Sequence, residues 1–360
     1  MNGRERFLST MKYEAVDRVP LIATGGWPET EDRWRREGWD GKSLVERFGT
    51  DSWHWNTSLL FPCPEFVEEV LEERETTRLI RNHEGILMEI PNGWRESSMP
   101  RFIRFPVENS DDFRQFAADR MQPNLEKRLG KLWRTNCEIW AGRTQPFVVF
   151  TDRWGGFFGP LRNLMGVENL CRAFYDDPAL IEEMMDHIAN LIIAVMSRVL
   201  DDTTIDMFAF WEDMAYRGGS LLSPRLARKY MLPRYRRVVD FLKSRGVKHF
   251  GLDSDGDIRQ LIPVWLDAGI DIIWPFEVQS GMNVVELRRE FGRDLRMMGG
   301  IDKRALAFGA NEIRAAVDAV MPLVAEGGYI PYLDHSAPPD ISWNNINCYM
   351  HYLKERIEHG

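Results

Sequence analysis

Three carboxylates follow a short apolar run in the middle of the chain. The run covers residues 247–252, and Asp253, Asp255 and Asp257 come directly after it. Because side chains alternate along a strand, His249 and Asp253 are expected on the same face. One aspartate is explained as the cap of the next helix, but three with an upstream imidazole are typical of acid–base or metal chemistry. The sequence therefore predicts a functional site here, with His249, Asp253 and Asp255 as candidate catalytic residues.

Polar residues also follow three other predicted strands. They are Glu212 and Asp213 after 205–211, a segment that ends in Trp211, then Glu277 after 270–275, and Asp334 and His335 after 329–333. In a parallel barrel the carboxyl ends of the strands share one rim, so we expect these side chains to converge. Glu277 and His335 are predicted to join the catalytic group, and the other four to bind substrate. Solvated loop charges and a turn cap are the alternative interpretations.

The spacing of apolar segments predicts the elements that position these residues. Strands are expected at 19–24, 146–151, 205–211, 247–253, 270–275, 295–298 and 329–333, with another plausible strand near 51–60. Helical patterns separate the later strands, which is typical of βαβ units and a parallel sheet. Eight such units close a barrel. We therefore predict a single (β/α)8 TIM barrel that comprises residues 1–360.

A different pattern interrupts the N-terminal part of the chain. Residues 77–81 and 86–90 flank the turn sequence 82–85, which predicts a β-hairpin, and residues 101–105 are a candidate third strand. Antiparallel strands do not belong in a parallel barrel. We therefore expect an antiparallel insertion over about residues 76–105.

Charge and cysteine content limit the partners and the compartment. The 360 residues carry a formal net charge of -9, which disfavours general binding to nucleic acids or anionic membranes. The four cysteines include no Cys-x-x-Cys pair, which suits a reducing compartment. The first residues are polar and no apolar run reaches the roughly 20 residues of a membrane span, so we expect a cytoplasmic protein. The 13 tryptophans would suit a flat hydrophobic ligand.

Several catalytic motifs are absent from the sequence. The glycine-rich run 155–159 follows a predicted strand but is neither a dinucleotide-binding fingerprint nor a P-loop. There is no Gly-x-Ser-x-Gly, no His-Glu-x-x-His and no zinc-finger spacing.

The order of several motifs resembles the uroporphyrinogen decarboxylase (URO-D) superfamily. The motifs are Arg4–Met11 with Asp17–Pro20, Leu222–Pro224 before a helix, Met298–Asp302, and Tyr332–Ser336 near the end. This resemblance covers nearly the whole chain. It implies a (β/α)8 barrel with its active cleft at the carboxyl ends of the strands.

The two branches of that superfamily imply different chemistries. True decarboxylases hold a polycarboxylate with arginines in an N-terminal motif, but the matching residues 23–29 contain no arginine. Corrinoid-dependent methyltransferases of this type bind zinc through a His-x-Cys pair and a later cysteine. Here His249 is kept and Gly251 replaces the thiolate. The resemblance therefore implies at most a zinc or other divalent-metal site, for which His249 and Asp255 are the candidate ligands.

From these observations we expect a methyltransferase or demethylase that acts on a small methylated substrate, with a corrinoid protein as partner. Decarboxylation of a porphyrinogen-like polycarboxylate is the first alternative. A non-catalytic module that binds a tetrapyrrole or corrinoid is the second. A homodimer is the expected assembly, and neither nucleic acid nor membrane is an expected partner.

Overall fold

The computed structural model describes residues 1–95 and 99–359. In chain order, the strands are β1 (His54–Asn56), β2 (Glu69–Glu73), β3 (Thr77–Arg81), β4 (Leu87–Pro91), β5 (Arg101–Arg104), β6 (Phe147–Phe150), β7 (Met207–Trp211), β8 (Ala215–Tyr216), β9 (Gly219–Ser220), β10 (His249–Asp253), β11 (Ile272–Trp274), β12 (Arg296–Met298) and β13 (Tyr329–Ile330). They form one parallel sheet of seven strands and two smaller sheets.

The α-helices surround this framework. They lie at Gly3–Met11, Pro28–Arg36, Leu44–Phe48, Ser110–Arg120, Leu125–Leu129, Trp133–Ala141, Gly159–Met165, Val167–Asp176, Pro178–Asp202, Pro224–Leu226 continuing through a π-turn into Leu232–Ser244, Ile262–Asp267, Val284–Phe291, Ala305–Phe308, Ala310–Glu326 and Trp343–His359, with short 3₁₀ turns at Val278–Ser280 and Gly292–Asp294. Their starts follow local rules. Ser223 caps the helix that begins at Pro224, since its side chain accepts from the Leu226 N–H. Within the described ranges, no helix has the length and apolarity that a membrane crossing requires.

The seven-stranded sheet has the order β1-β6-β7-β10-β11-β12-β13, and every neighbouring pair is parallel. Residues Trp211, Asp253 and Trp274 occupy the same register row at the carboxyl ends of β7, β10 and β11. The α/β architecture expected from the sequence is therefore confirmed, and the polar strand ends do share an edge.

The prediction of a strand over residues 19–24 was wrong. This segment has no regular ladder, and only an isolated parallel bridge joins Gly26 to Ala337. The carboxylate of Asp51 accepts the Leu21 N–H, while Pro20 has no N–H to offer. The Leu21 N–H is thus already hydrogen-bonded and Pro20 has none, so neither residue can donate to a neighbouring strand. The plausible strand near 51–60 is present as β1.

A separate antiparallel sheet has the order β2-β3-β4-β5. Strands β3 and β4 pair around the turn at 82–85, where the Asn82 side chain accepts the N–H groups of Glu84 and Ile86. β5 adds the third strand at 101–104, and β2 is a fourth strand that the sequence pattern did not indicate. Glu84 is buried, and its two carboxylate oxygens accept from Arg153, 2.8 and 2.7 Å away. This ion pair ties the antiparallel sheet to the loop after β6.

Two layers of core enclose the parallel sheet. The outer layer lies between the sheet and the helices, and it is built mainly from aliphatic and aromatic side chains. The inner layer contains Met207, Trp274 and Met298 together with Phe7 and Met11 of the first helix. That helix therefore packs inside the curve of the sheet at the amino-terminal ends of the strands, and it leaves the carboxyl ends as the accessible side.

Candidate active site

The rim at the carboxyl ends of the strands brings together most of the predicted catalytic residues. Asp255 and His335 are in contact, with the Asp255 Oδ2 atom 3.5 Å from His335 Nε2. Glu277 lies beside them, because its Oε2 atom accepts from the Gly256 N–H at 3.1 Å. Asp253 occupies the inward face of β10, two residues before Asp255. Residues from the carboxyl ends of β10 and β11 thus place carboxylates beside an imidazole from the loop after β13.

The contact with Asp255 sets the protonation of His335. Its hydrogen bond to Asp255 raises the pKa of His335, and this effect outweighs the opposing effect of burial. Burial raises the pKa of Asp255, which the contact with His335 opposes. The ring of Trp27 meets the His335 imidazole edge-on, with centroids 6.1 Å apart. The arrangement holds a proton between two groups at an accessible rim, as general acid catalysis requires.

Asp253 sits in a strongly acidic environment. Burial raises its pKa well above the ordinary range, and the neighbouring carboxylates of Asp255, Asp213 and Asp152 raise it further. Among the residues that the structure describes, no cation pairs with the Asp253 carboxylate.

Lys303 is a rim residue that the sequence reasoning missed. Its Nζ atom lies 3.4 Å from Glu277 Oε1 and 3.8 Å from Asp334 Oδ1. Asp334 also accepts two backbone N–H groups, from Val278 at 2.9 Å and from Lys303 at 3.0 Å. Asp334 therefore anchors two loops rather than facing an open site. The motif Met298–Asp302 ends directly before Lys303, and that adjacency was the available signal.

Glu212 lies inside the protein, not on the rim. It is 0% exposed and accepts N–H groups from Phe157 at 2.7 Å, Phe158 at 2.6 Å and Gly159 at 3.0 Å, as well as the Tyr235 hydroxyl. Burial raises the pKa of Glu212, while these four donors oppose that effect. Protein donors surround the carboxylate, so we assign Glu212 a positioning role for the glycine-rich loop instead of the predicted contact with substrate.

Trp211 and Asp213 are held by arginines that the sequence did not single out. Arg162 donates to Asp213 Oδ2 at 2.7 Å and lies over the Trp211 ring, 4.8 Å from its centroid. Arg153 approaches the same ring at 5.7 Å. Both guanidinium groups already have a carboxylate partner, since Arg162 pairs with Asp213 and Arg153 pairs with Glu84.

His249 lies at the opposite end of β10 from the rim. It begins the strand that Asp253 ends, which separates the two by about 13 Å along the strand. Its ring packs against Phe7 of the first helix at a centroid distance of 5.8 Å. The expectation that His249 and the aspartates meet at one spot is therefore corrected. The two residues share a face, as the alternation predicted. They lie at opposite ends of β10, because the strand begins at His249 and ends at Asp253.

Burial keeps His249 neutral and makes it a source of acid sensitivity. Burial lowers the pKa of His249 to about 4, from about 6.5 in an unfolded chain. Between these values the unfolded chain binds the proton and the folded chain does not, so stability falls as pH drops through this window. The loss by pH 4 is expected to be about 3 kcal/mol. Urea unfolding of the wild type and of His249→Phe from pH 7 to pH 4 measures it. A variant with the same pH slope as the wild type would contradict the assignment.

The predicted metal ligands do not fit a metal ion. His249 and Asp255 lie toward opposite ends of the sheet, so they cannot share one ion. A side chain at Gly251 has no room, because a Cβ there would lie 2.5 Å from Trp274 Cζ3 and 3.1 Å from Met207 Sδ. In the part of the chain that the structure describes, no group of three or more His, Cys, Asp or Glu side chains is arranged to hold a metal. We therefore derive no chemical step from a metal.

The crowding at Gly251 has a testable consequence. Gly251→Ala is expected to destabilise the fold by about 1 to 3 kcal/mol, because the Trp274 ring must move within a packed interior. Gly142→Ala is the matched control, since its added Cβ would meet nothing within 4 Å and its φ of -101 suits any residue. Denaturant unfolding of both variants measures the difference. Equal stability of the two would show that the interior accommodates a larger residue at 251.

Four aromatic side chains line the interior of the curved sheet, and we call Trp53, Trp55, Phe150 and Trp274 the aromatic wall. Trp53 and Trp55 stack with centroids 5.4 Å apart. Trp55 also contacts Phe150 at 5.8 Å and Trp274 at 6.4 Å. The sequence is rich in tryptophan, but its pattern does not indicate which tryptophans meet.

The parallel sheet, the surrounding helices and the polar rim define an α/β protein with a TIM-barrel-like fold. The family model described as uroporphyrinogen decarboxylase (URO-D) matches residues 90–356, and the chain belongs to this family. The resemblance inferred from the motifs is thus confirmed.

Two known proteins illustrate these similarities. A uroporphyrinogen decarboxylase of Crocosphaera subtropica is 22% identical over 188 residues, which are 50% of this chain and 49% of that protein. The match thus spans about half the length of that relative. The solved structure of a methyltransferase from Methanosarcina mazei superposes over 99% of both chains with a TM-score of 0.62 and 15% identity. At that identity the similarity concerns the fold.

Proposed function

We propose that this chain is an enzyme that removes a methyl group from a small methylated substrate at the rim around His335 and Asp255. The observation that carries the proposal is the contact between these two side chains, because it places a proton donor where a substrate has access. Membership of the URO-D family and the fold similarity to a methyltransferase support an enzymatic role.

In the proposed reaction the bond between the methyl carbon and a heteroatom of the substrate breaks. The heteroatom keeps the electron pair and takes the proton from His335, whose imidazolium form the Asp255 carboxylate stabilises. We propose a reduced corrinoid on a partner protein as the methyl acceptor, which would supply the electron pair of the new bond to carbon. Solvent then returns the proton to His335. Lys303 holds the neighbouring anions of Glu277 and Asp334 in place.

We further infer that residues 1–360 act as one barrel unit and that residues 19–26 take the eighth place in the ring. The bridge between Gly26 and Ala337 and the hydrogen bond from Asp51 N–H to the Leu21 carbonyl, at 2.8 Å, support this inference. The segment then leads directly to Trp27, which contacts His335. In this proposal the irregular eighth segment completes the wall of the site.

Decarboxylation of a uroporphyrinogen-like substrate is the second candidate, and the curated relative favours it. A substrate with many carboxylates needs cations in its site. Residues 23–29 contain no arginine, and Arg153 and Arg162 near the rim already pair with Glu84 and Asp213. The acidic surroundings of Asp253 oppose such a substrate as well. We therefore rank methyl removal first.

The test mixes the purified full-length chain with reduced cobalamin and a panel of small methyl ethers and methyl thioethers. Disappearance of the absorbance of reduced cobalamin, dependent on the chain and on the substrate, is the expected result. The His335→Asn variant keeps the size of the side chain and is expected to be inactive. A parallel assay with uroporphyrinogen asks for coproporphyrinogen. Product in that assay without methyl transfer would overturn the ranking, and no product in either assay would favour the non-catalytic binding module.

A further inference from the structure

We propose that the rim site selects substrates that carry an ammonium-type cationic group beside their methylated heteroatom. The aromatic wall and the Asp253 carboxylate are the groups that would bind this cation. The inference rests on the proposed function and names the substrate class of the same site.

The aromatic wall faces the interior of the curved sheet, and its Trp55 side chain is exposed to solvent. Trp55 of β1 and Trp274 of β11 contact each other although three strands separate β1 from β11 in the sheet. Such a contact is possible only across the inside of the curve. Trp55 is nevertheless 42% exposed, so the interior is accessible at this level. An open aromatic surface in a concave site is the kind of feature that binds quaternary ammonium groups.

Asp253 adds a carboxyl group beside this wall, and a bound cation would stabilise the ionised form of this group. It pairs in register with Trp274, and it shares the inward face of β10 with Gly251, over which the Trp274 ring lies. Each nearby cation already has carboxylate partners: Lys303 has Glu277 and Asp334, Arg162 has Asp213, and Arg153 has Glu84. Among residues 1–95 and 99–359, therefore, the Asp253 carboxylate has no positive counterpart. A cationic ligand would offset the repulsion from the neighbouring carboxylates and let Asp253 ionise.

Unpaired polar atoms provide a second indication that the interior is incomplete without a ligand. Within the described residues, Trp53 Nε1 of the wall, His335 Nδ1 at the rim and His249 Nε2 on the inward face of β10 are buried without a hydrogen-bond partner. His249 as a residue is only 5% exposed. Buried polar groups in folded proteins are usually hydrogen-bonded. A polar ligand with its bound water would satisfy such groups in a way that an apolar ligand could not.

Choline and its neutral isostere 3,3-dimethylbutan-1-ol test the inference on the full-length protein. The two probes have the same shape and differ in charge. Calorimetric titration, with tryptophan fluorescence as a second readout, is expected to show choline binding at least about tenfold more tightly than the isostere. Raising the salt concentration is expected to weaken choline binding and leave binding of the isostere unchanged.

Variants assign the binding to the proposed groups. Asp253→Asn keeps the shape of the side chain and is expected to remove the preference for choline, and Trp55→Leu is expected to weaken choline binding about tenfold. Asp294→Asn is the matched control, because Asp294 is exposed and lies before β12 at the opposite end of the sheet. Circular dichroism confirms that each variant is folded, and the two probes on the unaltered protein decide the question should a variant fail to fold.

Equal affinity for the two probes, or a choline preference that survives Asp253→Asn, would overturn the inference. Demethylation of neutral methyl ethers without any choline preference would overturn it while leaving the proposed function intact. Tight choline binding without any methyl transfer would have the opposite meaning, since the cation site would stand and the proposed reaction would fail.

Discussion

Replacing His335 by alanine is expected to lower kcat for demethylation by about 100- to 10,000-fold, which is the usual contribution of a positioned general acid. The physical reason is that the departing heteroatom loses its proton donor, while the aromatic wall and Asp253 still bind the substrate. KM is therefore expected to change much less than kcat. Steady-state assays with the best methylated substrate measure both constants.

The pH dependence of the reaction provides a sharper test of the same assignment. Contact with Asp255 raises the pKa of His335, so the protonated imidazole that donates to the substrate persists to higher pH than an isolated histidine would allow. Activity is expected to fall as pH rises through this raised pKa. Asp255→Asn removes the cause of the shift, so the falling limb is expected to move to lower pH. NMR titration of the His335 ring checks the same displacement without any substrate.

His83→Ala is the matched control for these experiments, because His83 is an exposed histidine in the turn of the antiparallel sheet. It is expected to retain full activity and an unchanged pH profile. Loss of activity in His335→Ala with a pH profile that Asp255→Asn leaves in place would mean that His335 supports the structure of the rim rather than donating a proton.

Strand positions in this chain could be predicted because the apolar runs are short, buried and separated by helical patterns. The strands at 205–211, 247–253 and 270–275 lie where these patterns placed them, as β7, β10 and β11. The segment 19–24 has the same apolar pattern without forming a strand. The difference depends on Asp51, thirty residues away from Leu21, whose carboxylate takes a backbone N–H that a ladder would use.

The candidate site was predictable only in part, for a geometric reason. Residues directly after strands, such as Asp255, Glu277 and His335, do lie on one rim, because parallel strands end at the same edge. The face of a strand residue follows from the alternation, but its height in the sheet depends on where the strand begins. His249 lies on the predicted face of β10, but it begins the strand and therefore lies far from the rim.

Buried charges were the other source of error, since a sequence does not reveal which donors surround a carboxylate. Glu212 and Asp213 are adjacent and both follow β7, yet one is enclosed by backbone N–H groups and the other pairs with Arg162 near the rim. Lys303, Arg153 and Arg162 were overlooked because isolated basic residues in loops are common. Only the folded chain shows that each of them neutralises a particular carboxylate.

The enclosed carboxylate leads to the largest expected effect on stability. Glu212→Ala is expected to lower the free energy of unfolding by at least about 3 kcal/mol, because three N–H groups and the Tyr235 hydroxyl lose their acceptor in a site without water access. Release of the loop 155–159 is also expected to lower activity, since Asp152 and Arg153 directly precede it and lie at the rim. Urea unfolding followed by circular dichroism measures the first effect.

Two further variants separate this explanation from a general cost of removing charge. Tyr235→Phe removes one donor and leaves the other three bonded, so its expected cost is smaller, about 1 to 2 kcal/mol. Glu168→Ala removes an exposed glutamate that pairs with Arg172 on its own helix, and it is expected to change stability by less than about 0.5 kcal/mol. If Glu212→Ala were no more costly than Glu168→Ala, water must replace the carboxylate among its donors. The glycine-rich loop would then hold its shape without Glu212, and the positioning role assigned to this residue would be lost.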